Sequence, residues 1–380
     1  MGKKSNATAV AVVIEAGVLD TLIKTLRRSG YQTIGPKVQD AAIVLDTIKG
    51  ADELPLGMVD DQQPASYRLS KAKKPAYFDF THGAGIWKRY LLPPKEKLWT
   101  ASKTDVGFEV HPDTDAPKYA FIGVRACELN AIGIQDKVFM DGDHVSTPYK
   151  ARREKAFIVA LNCRRAGGTC FCASMGTGPK VEGGYDLALT ELTKKGMHTF
   201  LVEAGSTRGE KLLARLQGTT ATTDDLKAAD KAIAKAAKSM GRAMPRNAAK
   251  VLAKNLEHPH WQDVAKRCLD CANCTLVCPT CFCTTTQDTT SLDGQNAERW
   301  RHWDSCFTLD FSYIHGGAIR RDGAERYRQW ITHKLTHWHD QFGVSGCVGC
   351  GRCITWCPVG IDITAEVRAI AKSKSGPKRK

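Results

Sequence analysis

Short apolar runs alternate with amphipathic stretches along the first 220 residues. YAFIGV (119–124) and AFIVALN (156–162) are brief, rich in β-formers and separated by helical patterns, which predicts strands and helices in alternation. That alternation marks an α/β domain, taken as residues 1–222. The pattern then changes. TDDLKAADKAIAKAAKSMGRAMPRNAAKVLAKNL (223–256) is rich in Ala and Lys, and Leu226, Ile233 and Met240 fall seven apart on one helical face. It predicts a helical connector over 223–259, interrupted near Gly241 and Pro245. From 260 to 371 the strand signal fades while cysteines and aromatic residues accumulate, predicting a mostly helical, metal-held domain, followed by a basic tail (372–380).

The 380 residues carry a formal charge of +15 and are 42% hydrophobic, enough chain for two or three domains with their own cores. No run of eighteen apolar residues exists, so no membrane-spanning helix is expected. The opening MGKKSNATAVAVVIEAG meets Glu15 after a short apolar run and lacks a small-residue cleavage site, so it does not read as a signal peptide. The expected location is cytoplasmic. The positive charge is spread along the chain without a helix-turn-helix, zinc-finger or RNA-binding signature; it reads as a solvated surface or a face for an acidic protein, and nucleic acid is not the expected partner.

Fifteen cysteines change the picture. They cluster at 127–172, 268–306 and 347–357, as metal ligands do, rather than spreading in pairs through loops as in a disulfide scaffold. CLDCANCTLVCP (268–279) and CVGCGRCITWCP (347–358) repeat one pattern, C-x2-C-x2-C-x3-C-P, the spacing of bacterial two-cluster ferredoxins, in which the fourth cysteine ligates the other cluster. On that rule Cys268, Cys271, Cys274 and Cys357 hold one [4Fe–4S] cluster, and Cys347, Cys350, Cys353 and Cys278 the other. Structural zinc is the competing reading, but zinc coordination does not call for the third cysteine and the proline twice over.

Residues 279–346 separate the repeats and contain Cys281, Cys283 and Cys306, together with Trp300, Trp303, Phe307, Phe311 and Tyr313, an expected apolar belt around the clusters. The three extra thiols read as packing or supporting groups. Cys127 and Cys163 follow the two predicted strands, and parallel neighbours would deliver both thiols to the carboxyl edge of one sheet. Cys170 and Cys172 lie on the glycine-rich loop GGTCFCASMGTGP (167–179), which could curl over the same edge, so a third [4Fe–4S] site is expected, with four free or buried cysteines as the competing reading. His333 and His337, with His339 nearby, sit four apart on a predicted helix, but Lys334 stands where a zinc protease has its glutamate, so a solvated or partner-facing helix is expected. GAG (83–85) and GTG (176–178) lack the third glycine of a dinucleotide fingerprint, and no phosphate-binding loop motif occurs. No nucleophile–base pair declares itself, so the chain reads as non-catalytic.

The blocks GVRACELNAIGIQDKVF (123–139), YKARREKAFIVALNC (149–163), TCFCASMGTGP (169–179), GGYDLALTEL (183–192), CANCTLVCPTCFCTTTQD (271–288), SCFTLDF (305–311) and CVGCGRCITWCPVGIDI (347–363) resemble the iron–sulfur β subunit of cytoplasmic NAD(P)-linked [NiFe] hydrogenases, or sulfhydrogenases. The anaerobic sulfite reductase A subunit is similar. The resemblance spans most of 75–370. It implies an electron relay between a flavin subunit handling NAD(P)H and a catalytic hydrogenase or reductase subunit, and it implies that Cys127, Cys163, Cys170 and Cys172 are ligands. Departures are small: Ala126-Cys127-Glu128 stands where Pro-Cys-Asp is expected. A sulfite reductase subunit would feed a sirohaem partner instead. A cluster-stabilised nucleic-acid-binding protein and a free ferredoxin-like shuttle are the other classes; the latter has no need of a large α/β domain.

Overall fold

The computed structural model describes residues 11–373 except 82, 114–115 and 195–196. An eight-stranded sheet forms the N-terminal scaffold, in the order Thr219–Thr220, Ala11–Glu15, Met197–Ala204, Leu187–Lys194, Phe157–Leu161, Tyr119–Arg125, Gln32–Gln39, Ala42–Thr47. Its four inner strands, from Leu187–Lys194 to Gln32–Gln39, pair in parallel, and the outer ones are antiparallel. Both expected strands are present as parallel neighbours, with Phe121 opposite Ile158 and Ile122 opposite Val159. Such inner strands are covered on both faces, which is why they read as unbroken apolar runs. Ile122, Val159 and Leu161 pack on one side with the helix Val18–Arg28, and Phe121, Ile158 and Ala160 on the other with the helix Ala126–Phe139.

The connector contains helices Thr223–Lys238 and Ala248–Ala253 and breaks between them, as Gly241 and Pro245 suggest. Its presumed stripe is only partly buried: Ile233 is covered, Leu226 is exposed, and the Met240 thioether lies 3.9 Å from the Cys172 sulfur. The predicted tail lies, apart from its first two residues, outside the described residues. Among those described, no helix is long and apolar enough to cross a membrane.

The C-terminal region is less helical than its sequence suggests. Thr284–Thr290 and Asn296–Trp303 form an antiparallel hairpin, and Asn296–Trp303 pairs with Lys95–Thr104 to make a four-stranded sheet. The polar, Thr-rich segment TTTQDTT carries β-branched residues but no hydrophobic alternation, because its side chains are mostly exposed. Propensity without burial therefore hid the strand. Around the cysteine motifs the chain is helical: Gly323–Thr332, His260–Ala265 and Ile363–Lys372 pack Trp261, Tyr327, Trp330 and Val367 into one core with Phe171 of the sheet-edge loop.

That loop is pressed against the second cysteine motif. The Phe171 amide donates to the Gly349 carbonyl at 2.8 Å, and the Thr169 and Thr355 hydroxyls meet at 2.8 Å. Gly349 has φ +63°, and a Cβ built there would stand 2.6 Å from the Cys172 amide nitrogen. Gly349→Ala should lower stability by about 1–3 kcal/mol from backbone strain alone, with the clash adding to it. Gly133, exposed on the helix Ala126–Phe139 with open space beside it, is the control: Gly133→Ala should be neutral or stabilising by about 0.5–1 kcal/mol in the same anaerobic denaturation measurement.

Candidate metal centres

The first motif turns tightly. Asp270 and Ala272 adopt φ of 49° and 63°, and the single helical turn Asn273–Leu276 follows. These reversals bring Cys268, Cys271 and Cys274 around one cavity, which Cys353 and Cys357 line from the second motif. Backbone amides already point at two of these sulfurs: Asp270 to Cys268 at 3.4 Å and Ile361 to Cys357 at 3.3 Å. Phe307, Tyr327 and Trp330 line the same cavity. The Tyr327 hydroxyl and the Trp330 indole N–H are buried and have no partner among the described residues. Unpaired buried donors are costly, and sulfur acceptors in this cavity would satisfy them, so the residues present fit an iron–sulfur cluster. Burial pushes the Cys268 thiol up to about 11, and Cys271 alone among the fifteen cysteines is exposed.

Cys278 leaves the first motif for the second, lying within electrostatic reach of Cys347, Cys350 and Cys353. The Gly349 amide donates to the Cys347 sulfur at 3.4 Å. Burial pushes Cys347 up to about 12 and Cys350 up to about 11. Cys278 behaves differently: a hydrogen bond with Cys281, reinforced by the Lys334 ammonium 3.4 Å away, holds it well below the ordinary thiol range against the opposing effect of burial. Lys334 corrects the expectation of a solvated helix, since it is buried and bonded to Thr280 Oγ1 and the Gly346 carbonyl at 3.1 and 3.0 Å. His333 on the same segment pairs with Gln341 at 2.9 Å.

At the sheet edge, Cys127 opens the helix Ala126–Phe139 directly after its strand, and Cys163 lies just past Phe157–Leu161. Cys170 lies within electrostatic reach of both. A Cβ on Gly178 would stand 3.2 Å from the Cys172 sulfur and 3.0 Å from the Ala126 Cβ, so Cys172 sits against the start of the Cys127 helix. The structure thus brings the four thiols of 127–172 together. Arg125 Nη1 donates to the Cys163 sulfur at 3.4 Å. Burial raises both the Cys163 and Cys170 thiols above their ordinary range. Arg352 spans the two regions: its guanidinium pairs with Glu128 and donates to the Gly83 and Gly85 carbonyls at 3.1 and 2.9 Å. Its Nη1 is buried without a partner among the described residues. Cys350 and Cys127 are both in its field.

The aromatic belt differs from expectation. Phe307 is buried, but Tyr313 is 61% exposed and Trp300 lies half-buried on the hairpin. Tyr327 and Trp330 take their place, and the sequence signal was there: the two are three apart in YRQW, on one face of an amphipathic helix. Cys281, Cys283 and Cys306 also converge. The Cys281 thiol hydrogen-bonds to Cys278 and the Cys306 thiol to Cys283, the latter contact holding Cys283 down to about 7. No three His, Cys, Asp or Glu side chains among the described residues gather as tightly as a single metal ion requires.

Thiols gathered in groups around buried, donor-lined space define an iron–sulfur protein of the electron-transfer class. The match of residues 267–361 to the 4Fe-4S dicluster domain agrees. Sulfhydrogenase 2 subunit beta of Pyrococcus furiosus is 31% identical over 297 residues, covering 76% of this chain and 85% of that one. No solved structure matches. The chain belongs to the family of iron–sulfur β subunits of sulfhydrogenases, electron-transfer subunits of hydrogenase complexes.

The unpaired donors at the first cavity lead to an expected outcome. Tyr327→Phe and Trp330→Phe each remove a donor to sulfur while keeping most of the packing, so each should lower the reduction potential of the cluster in that cavity in a spectroscopic redox titration. Unchanged potentials would show that these groups do not face the cluster.

Proposed function

We propose that this chain is an internal wire carrying electrons between a flavin subunit that exchanges them with NAD(P)H and a [NiFe] hydrogenase module. The observation that carries the reading is the crossed arrangement, in which Cys357 of the second motif closes the cavity of the first and Cys278 of the first sits with the second. A [4Fe–4S] cluster supplies one-electron carriage without bond making at a substrate. Cys268, Cys271, Cys274 and Cys357 would hold one, Cys347, Cys350, Cys353 and Cys278 a second, and Cys127, Cys163, Cys170 and Cys172 a third.

Each surrounding residue has a task in that arrangement. Phe307, Tyr327 and Trp330 exclude water from the first site. Lys334 and Arg352 place positive charge against the second, and Arg125 and Arg352 against the third, offsetting the negative charge of thiolate-ligated clusters. Cys271, exposed at the surface, is where a partner's cofactor would come nearest.

The crossed ligands predict a crossed phenotype. Cys278→Ala should remove about four irons per chain and strip the cluster of the second motif while sparing that of the first. Electron paramagnetic resonance of the reduced variant checks this, and loss of the first cluster instead would refute the assignment. In the assembled complex, NAD(P)H should reduce the clusters of the wild-type chain; with the flavin subunit absent it should not.

A further inference from the structure

Two lysines are buried beside the three thiols that neither the two ferredoxin motifs nor the sheet-edge group uses. Lys88 and Lys334 are 6% and 4% exposed, and neither has a carboxylate partner among the described residues. Burial disfavours the ammonium form of Lys88, and an anion held beside it would restore that form. Lys334 meets the Cys278 sulfur at 3.4 Å and is answered by the second motif. Lys88 is not. Its Nζ donates to the Cys281 carbonyl at 2.7 Å and lies 4.0 Å from the centre of the Trp303 ring, two neutral partners.

Cys281 and Cys283 lie in the field of Lys88, and Cys283 and Cys306 come from two segments held in register. The Asp304 amide donates to the Cys283 carbonyl at 2.9 Å, continuing the hairpin ladder in which Thr284 faces Trp303. That pairing places Cys306 against Cys283, close enough for the thiols to hydrogen-bond, and Cys281 follows the first motif by three residues. All three are half-buried.

We propose that Cys281, Cys283 and Cys306 bind a further iron–sulfur cluster through three thiolates, and that its negative charge is the counter-ion of Lys88. Transfer of a [4Fe–4S] core from a thiolate-ligated carrier breaks three bonds from iron to carrier thiolate, forms three to Cys281, Cys283 and Cys306, and passes their three thiol protons to the released carrier thiolates, with no change of oxidation state. The site goes beyond the relay reading, which needs none of these residues.

The test uses the whole chain, purified anaerobically with its partner subunits, and compares wild type with Cys306→Ser and Cys283→Ser. Each variant should lose about four irons and four labile sulfides per chain while the two ferredoxin-type signals persist. Unchanged iron in both variants overturns the proposal. If those signals are missing from the wild type, the relay reading fails instead, so the two failures are distinguishable. Lys88→Met should retain the iron and lower the potential of the cluster that Cys306→Ser removes; an unchanged potential refutes the counter-ion role. A wild-type readout covers the case in which the cysteine variants do not fold. Mass spectrometry of air-exposed protein that keeps its full iron content should find no Cys283–Cys306 disulfide, and finding one would mean that the thiols carry no metal.

Discussion

The arrangement rests on one buried ion pair. Arg352, in the middle of the second cysteine motif, reaches Glu128 on the helix that Cys127 opens. Taking both charges out of water is expensive, and their attraction repays it only where the remaining donors are also satisfied. Two carbonyls, Gly83 and Gly85, meet that condition in part, and the last guanidinium nitrogen is left for the thiol side. The pair therefore ties the second cysteine motif to the helix that Cys127 opens. Around it the Gly349 carbonyl accepts from Phe171, Thr355 bonds to Gln62 at 2.8 Å, and two glycines let the loop and the motif touch backbone to backbone. The sheet edge and the ferredoxin-like unit are one block, and thiols from both fall within reach of each other.

A second constraint follows from charge. Thiolates gathered in an apolar interior repel one another, and burial drives most of these thiols toward the neutral form. Arg125, Arg352, Lys88 and Lys334 counter this from inside the protein rather than from its surface. Their placement also ties cluster potentials to residues remote from the cysteine motifs in sequence.

Much of this was readable from the sequence because the decisive signals are local. Cysteine spacing encodes ligand geometry directly, and the inner strands declare themselves because both faces are covered, as Phe121 and Ile122 show. Delivery of Cys127 and Cys163 to one edge followed from the parallel pairing of their strands. What escaped depends on tertiary context. The hairpin Thr284–Thr290 and Asn296–Trp303 gains its place by pairing with Lys95–Thr104, nearly two hundred residues away, and the exposed side chains of Thr284–Thr290 carry no burial pattern. Lys334 looked like a solvent-facing residue, since a lone lysine gives no sign of which thiols surround it. Tyr327 and Trp330 were visible as one helical face, but the cavity they enclose is built from three separate segments.

The claim that matters most is that sheet-edge thiols and ferredoxin motifs serve a single wire. Electron paramagnetic resonance of the fully reduced, anaerobic chain tests it directly, because clusters packed against one another couple magnetically. Broad, spin-coupled signals that simplify when Cys170 is replaced by serine are the expected result. A wild-type spectrum that is only a sum of isolated signals, unaltered by that substitution, would contradict it.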